Sequence, residues 1–170
     1  MLLLVPLGTW LYLGVWEVKS MSMHLQRYYF RNKNCFQYRK QVELGCDSLW
    51  SFPLEFYTKL KYFSMSKSEN LESFSVSEGS HQDLTSLTFL RISECPNFVS
   101  FASGGLWASN FTQITIFHCK KLKSLPEGMH TLLPSLVFLD LNDCQELESF
   151  PKGGLPSNLV NSNTWNHQVL

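Results

Sequence analysis

The chain lacks a net charge of either sign: 14 Lys and Arg offset 14 Asp and Glu over 170 residues. No long-range field draws the whole molecule toward nucleic acid or an anionic membrane, and neither is expected as a partner. It lacks a G-x-x-x-x-G-K-[ST] phosphate loop and a G-x-S-x-G nucleophile turn, so no frame exists in which one side chain activates another. Gly104-Gly105, Gly153-Gly154 and the stretch from Pro126 to His130 read as turn formers, since neither glycine pair opens a recognisable helix. Five cysteines without a C-x-x-C pair suggest neither a disulfide framework nor a zinc site. No apolar run reaches the roughly 20 residues of a spanning helix. The expectation is a chain without catalytic residues, cofactor or metal.

What the chain does have is a repeat. Leu87, Leu90, Ile92, Cys95, Phe98 and Phe101 recur as Phe111, Ile114, Ile116, Cys119, Leu122 and Leu125, then as Leu136, Leu139, Leu141, Cys144, Leu147 and Phe150. Six apolar residues at those spacings cannot be buried by one segment alone, so copies must stack as in a solenoid. An earlier copy runs through Leu60, Phe63, Met65, Ser68, Leu71 and Phe74, with Ser68 in the cysteine position. Thiol and hydroxyl are both small and can both serve backbone groups in a tight turn. A partial first copy holds Val42, Leu44, Cys46, Leu49 and Phe52. Steps between the turn positions are irregular but stay in the leucine-rich range of about 20 to 29 residues.

Each L-x-x-L-x-L stretch reads as a short strand with inward leucines, and successive copies should pair in parallel. Pro53, Pro126, Pro151 and the glycine pairs punctuate the return arms, favouring irregular or 3₁₀ arcs, with one helical turn between Glu127 and Leu133. The fold class is thus an α/β-type solenoid: a leucine-rich repeat arc with a parallel β-sheet on the concave face and a mostly irregular, short-helical convex side. We divide the chain into a leader over 1–41, a repeat domain of about five coils over 42–160 and a tail over 161–170. Ser162, Thr164 and His167 fall in the next coil's apolar and cysteine slots, so the tail is expected to fray. Cys95, Cys119 and Cys144 share one phase of the repeat and read as buried thiols of a reducing compartment. Stacked strands about 4.8 Å apart would by distance alone also permit a disulfide.

The leader begins with an apolar run from Leu2 to Trp16, followed by basic and aromatic residues from Lys19 to Lys40. Three readings stay open: a capping segment, the N-terminus of a fragmentary chain, or a signal peptide, against which stands the lack of a basic residue before the run. Asn110-Phe111-Thr112 is a formal glycosylation sequon, relevant only to a secreted chain.

Three phrases carry more than the leucine pattern: Cys46-Asp-Ser-Leu-Trp-Ser-Phe-Pro53, Leu122-Lys-Ser-Leu-Pro-Glu-Gly-Met129, and Leu147-Glu-Ser-Phe-Pro-Lys-Gly-Gly-Leu-Pro-Ser-Asn-Leu159. They resemble the C-terminal leucine-rich repeats of plant intracellular coiled-coil nucleotide-binding immune receptors, over about residues 42 to 160. The resemblance implies a cytoplasmic sensor that recognises a protein ligand, either a pathogen effector or a host protein the pathogen alters, and that restrains the receptor's own switch domain. Without a phosphate loop, nucleotide binding and switching are not carried over. Two alternatives are a secreted or membrane-associated repeat protein, weakened by the missing L-x-G-x-I-P phrase, and a substrate-recruiting repeat of a ubiquitin ligase, weakened by the missing F-box-like segment.

On such a solenoid the outward strand residues form the default binding face. The columns expected across it are Tyr62, Phe89, Gln113, Phe138; then Ser64, Arg91, Thr115, Asp140; then Ser66, Ser93, Phe117, Asn142; then Lys67, Glu94, His118, Asp143. Exposed aromatics beside an Arg suit a protein contact. Lys67 with Glu94, and His118 with Asp143, could equally be plain neighbouring-strand charge pairs. His118 should point away from the inward thiols, which argues against a metal cluster with them.

Overall fold

The computed structural model describes residues 41–44, 49–54, 58–75, 83–101 and 105–165. The leader through Lys40, Cys35, Cys46 and the last five residues lie outside these. The strands are β1 (Gln41–Leu44), β2 (Ser51–Pro53), β3 (Tyr62–Ser66), β4 (Ser73–Ser75), β5 (Phe89–Ser93), β6 (Gln113–Phe117), β7 (Phe138–Asn142) and β8 (Asn161–Trp165), with one helix, α1 (Met129–Leu132), between β6 and β7. Six of the strands form one parallel sheet in the order β1-β3-β5-β6-β7-β8. The architecture is a parallel β-solenoid with little helix, each coil adding one strand to this sheet.

Register follows from the alternation in the sequence. Phe63, Leu90, Ile114 and Leu139 lie opposite one another across β3, β5, β6 and β7, as do Met65, Ile92, Ile116 and Leu141. All eight are inaccessible to solvent. A slip of one residue would turn every one of them outward. Each large apolar side chain so buried contributes about 1.5 to 3 kcal/mol before conformational entropy is charged against it.

The chain leaves each strand by the same turn. Lys67, Glu94, His118 and Asp143 all take left-handed backbone angles, with φ between 51° and 54°. The amides of Lys67, Glu94 and His118 still reach the next coil, as in Glu94 N–H donating to the Phe117 carbonyl at 3.0 Å. Four non-glycine residues in this region cost roughly 1 to 2 kcal/mol each. The following residue then points inward: Cys95, Cys119 and Cys144 donate to the carbonyls of Ser93, Phe117 and Asn142 at 3.3, 3.4 and 3.7 Å. Ser68 makes the same bond to Ser66 at 3.4 Å, so the hydroxyl serves where the thiol would.

A second ladder, on the return arm, has no counterpart in the apolar spacing. β2 pairs in parallel with β4, and isolated bridges join Ser73 to Ser100 and Ser124 to Ser149. Phe52, Phe74, Phe101 and Leu125, which follow Ser51, Ser73, Ser100 and Ser124, are buried, whereas Phe150 after Ser149, expected to turn inward with them, is exposed. Phe74 is the hub: its ring lies 5.9 Å from Phe63, 5.3 Å from Phe98 and 5.7 Å from Phe101. The expected helical turn appears as α1, preceded by Gly128 in the left-handed region. One close approach needs glycine: a Cβ on Gly105, at φ +85°, would sit 2.6 Å from the Glu127 carbonyl oxygen.

The tail differs from expectation. Instead of fraying at Asn161, the chain adds β8, paired with β7 from Phe138↔Asn161 to Asn142↔Trp165. Backbone hydrogen bonding to an existing strand edge needs no apolar side chain, and the apolar pattern is blind to it.

Two outcomes are expected. Phe74→Ala removes one ring from contact with four others, Phe52, Phe63, Phe98 and Phe101, and should lower unfolding stability by about 3 to 5 kcal/mol in urea titrations; a loss under 1 kcal/mol would contradict the hub. Burial pushes the Cys144 thiol up to about 11, and Cys119 is held above the ordinary thiol range first by its hydrogen bond with Cys95 and then by burial. Thiolate is the reactive form; the same hydrogen bond holds the Cys95 thiol below its ordinary value, so there burial alone is the protection. With all three sulfurs buried, Cys95, Cys119 and Cys144 should resist iodoacetamide in the folded chain and react in denaturant. Rapid native labelling at any of the three would reject this packing.

Candidate functional site

The sheet brings the outward residues together column by column. Pairing places Tyr62, Phe89, Gln113 and Phe138 in one row, Ser64, Arg91, Thr115 and Asp140 in the next, and Ser66, Ser93, Phe117 and Asn142 in the third. Lys67, Glu94, His118 and Asp143 occupy the left-handed corner that ends each strand. Every sequence-derived face residue therefore lies on one side of one sheet or at its rim. β1 and β8 add backbone register at the two edges of the sheet, Gln41 opposite Tyr62 and Asn161 opposite Phe138. The residues of β8 were missed because their frame lacked apolar anchors.

The face is not uniformly open. Tyr62, Phe89, Phe117 and Phe138 are half-buried, and Arg91 is exposed, while Ser64, Ser93 and Thr115 are buried. Short side chains in a row flanked by aromatic rings and an arginine lose their exposure to larger neighbours. Tyr62 and Phe89 stack face to face, centroids 4.3 Å apart and planes within 4°. This makes a flat aromatic shelf of the kind that adds roughly 0.5 to 1.5 kcal/mol beyond burial. The Arg91 guanidinium carbon lies 5.4 Å from the centroid of Phe117 on the next strand, within cation–π range. Gln113 donates to the Thr115 hydroxyl at 3.4 Å.

Of the two charge pairs expected, one forms. His118 Nδ1 donates to Asp143 Oδ2 at 3.0 Å, and Gln145 Nε2 donates to the other carboxylate oxygen at 2.8 Å. Among the described residues this is the one ion pair, so Lys67 and Glu94 are neighbours without bonding, and Arg91 and Asp140 have no oppositely charged partner. The hydrogen bond from His118, followed by that from Gln145, holds the Asp143 carboxyl below its ordinary value of 3.8. A carboxylate depressed in the folded state contributes stability above its unfolded pKa and loses it as pH falls through the folded one.

Among the described residues, no group of three or more His, Cys, Asp or Glu is placed to hold a metal ion, and no helix is long and apolar enough to cross a membrane. Asn110 is engaged within the fold: its Nδ2 donates to the Thr85 carbonyl at 2.8 Å, and the Thr112 hydroxyl of the same sequon donates to Thr88 at 2.9 Å. Asn158 repeats the Asn110 bond two coils along, donating to Pro134 at 2.9 Å.

Over 82 residues, 48% of this chain, the sequence is 39% identical to a protein of Arabidopsis thaliana whose name reads "Putative disease resistance protein". The match spans 6% of that protein's length. No family model and no solved structure matches the chain. The repeat solenoid is therefore related, distantly, to a disease resistance protein.

The corner pair gives a direct test. Carboxyl titration by NMR should place Asp143 below 3.8, and His118→Ala should move it upward. The pair's support for the turn is present at neutral pH and lost on acidification below that value. An Asp143 midpoint unmoved by the substitution would show that Gln145 and the backbone alone set it.

Proposed function

We propose that the chain is a non-catalytic protein-recognition module of the kind plant disease-resistance receptors carry. In this reading it binds a pathogen effector, a modified host protein or the receptor's own switch domain through its concave face, in the cytoplasm. The observation that carries the reading is the registered face itself: half-buried aromatics and an unpaired arginine on a parallel sheet whose inner side is fully committed to packing. Interfaces favour aromatic residues and Arg at their energetic centres. The relationship to a plant disease resistance protein agrees with it. Since the chain spans 6% of that relative, the activity and partners of a whole receptor are part of the proposal and not of the finding.

The engaged side chain of Asn110 favours the cytoplasmic form over the secreted one, because a glycan on Nδ2 would crowd the bond to Thr85. Expression of the chain with a C-terminal reporter should leave it unexported and without glycan.

The test of recognition is co-purification from plant tissue with Phe89→Ala, Arg91→Ala, Phe117→Ala and Phe138→Ala. All four change outward side chains, so the fold should survive, as circular dichroism would verify. A genuine partner should lose about tenfold or more in affinity with at least two of them, the scale of interface hot spots. If every partner binds all four variants as tightly as the parent chain, the face is an inert ladder and the proposal fails.

A further inference from the structure

The face carries charges of both signs that the proposal above does not use: Lys67, Arg91 and Glu94 on the coils of β3 and β5, and Asp140 and Asp143 on that of β7. Asp143 is occupied by His118 and Gln145, whereas Arg91 has no carboxylate within ion-pair distance among the described residues. An arginine fork offers five N–H donors and can take a carboxylate in two parallel bonds. The contact with Phe117 covers one face of the guanidinium, and its edge donors face no carboxylate among the described residues. That arrangement holds the group in place without neutralising it, which lowers the entropy lost when an anion docks.

The surroundings narrow the choice of anion. Ser64 and Thr115 stand opposite Arg91 on the two flanking strands, and both are buried. They line the row without adding charge. Two residues back along the same strands lies the Tyr62–Phe89 shelf. Side chains two apart in a strand sit about 6 to 7 Å apart on one face, the distance between alternate side chains of an extended peptide. A single cation beside a flat apolar shelf matches one carboxylate next to one aromatic or apolar side chain. A phosphorylated segment is read by clusters of arginines in the recurring recognition modes, and a single cation here favours the singly charged carboxylate.

We infer that Arg91 with the Tyr62–Phe89 shelf is a subsite for an acidic side chain flanked by an aromatic one, presented by a polypeptide partner. The inference rests on the recognition reading above and adds to it the chemistry of what is recognised. The subsite reads charge through Arg91 and shape through the shelf, so the two should be separable by substitution.

The experiment is selection of a displayed library of random twelve-residue peptides on the immobilised full chain, repeated with R91Q, R91E and F89A, each checked for an unchanged melting curve. The expected result is enrichment of Asp or Glu beside Trp, Tyr or Phe by the parent chain. R91Q should weaken the selected peptides roughly tenfold or more. R91E should redirect selection toward Lys and Arg, and F89A should keep the acidic preference while relaxing the aromatic one. Peptides that bind the sheet face but are indifferent to R91Q and R91E would overturn the subsite and leave the recognition reading standing. Peptides insensitive to all three variants and to F138A would overturn both. Enrichment of acidic peptides that R91E does not redirect would also overturn the subsite, since the charge would then be read elsewhere.

Discussion

Burial between neighbouring coils is the constraint on which everything else depends. No coil of this chain has enough apolar surface facing itself to form a core, so each inner side chain is covered by the coil before and the coil after it. Leu90 is covered because Phe63 and Ile114 lie opposite it on the two flanking strands. Stability is therefore shared along the axis and not concentrated in one centre. A defect in one coil is felt mainly by its two neighbours, and opening is easiest at the ends.

From that constraint the outer face follows without further instruction. Once the inner residues are fixed opposite one another, the alternation of a strand places Tyr62 on Phe89 and Arg91 between Ser64 and Thr115. The aromatic shelf and the lone arginine are by-products of register as far as folding is concerned. They are also what gives the face a recognisable chemistry. Packing uses one side of each five-residue strand and the proposed recognition the other, so a change on one side leaves the other in place.

How much of this was legible in the sequence depended on which force held each element. Phe63, Met65, Leu90, Ile92 and their successors announced themselves because apolar burial leaves a periodic trace, and the face columns came with them. The turn position occupied alike by Ser68 and Cys95 was legible too, since both bond the carbonyl two residues back. β8 was not, because a strand added by backbone hydrogen bonds leaves no apolar trace. The serine ladder from Ser51 through Ser73 to Ser100 was missed for a related reason. Its signal, a serine before each of Phe52, Phe74 and Phe101, was hidden behind the phenylalanines themselves. Nor did spacing reveal that Lys67 and Glu94 would stand apart while His118 and Asp143 bonded, which depends on side-chain reach and the help of Gln145.

The four left-handed corners carry a consequence of another kind. Lysine, glutamate, histidine and aspartate share one backbone geometry within 3° of φ, although only histidine and aspartate visit it with any frequency. The coil holds the others in it. The fold asks these positions to tolerate a left-handed backbone, which disfavours β-branched residues and is indifferent to the sign of a charge. A lineage could exchange cation for anion along this rim, coil by coil, and the solenoid would register no change of shape. Such a rim is a place where new specificity can be acquired without first being tolerated by the core.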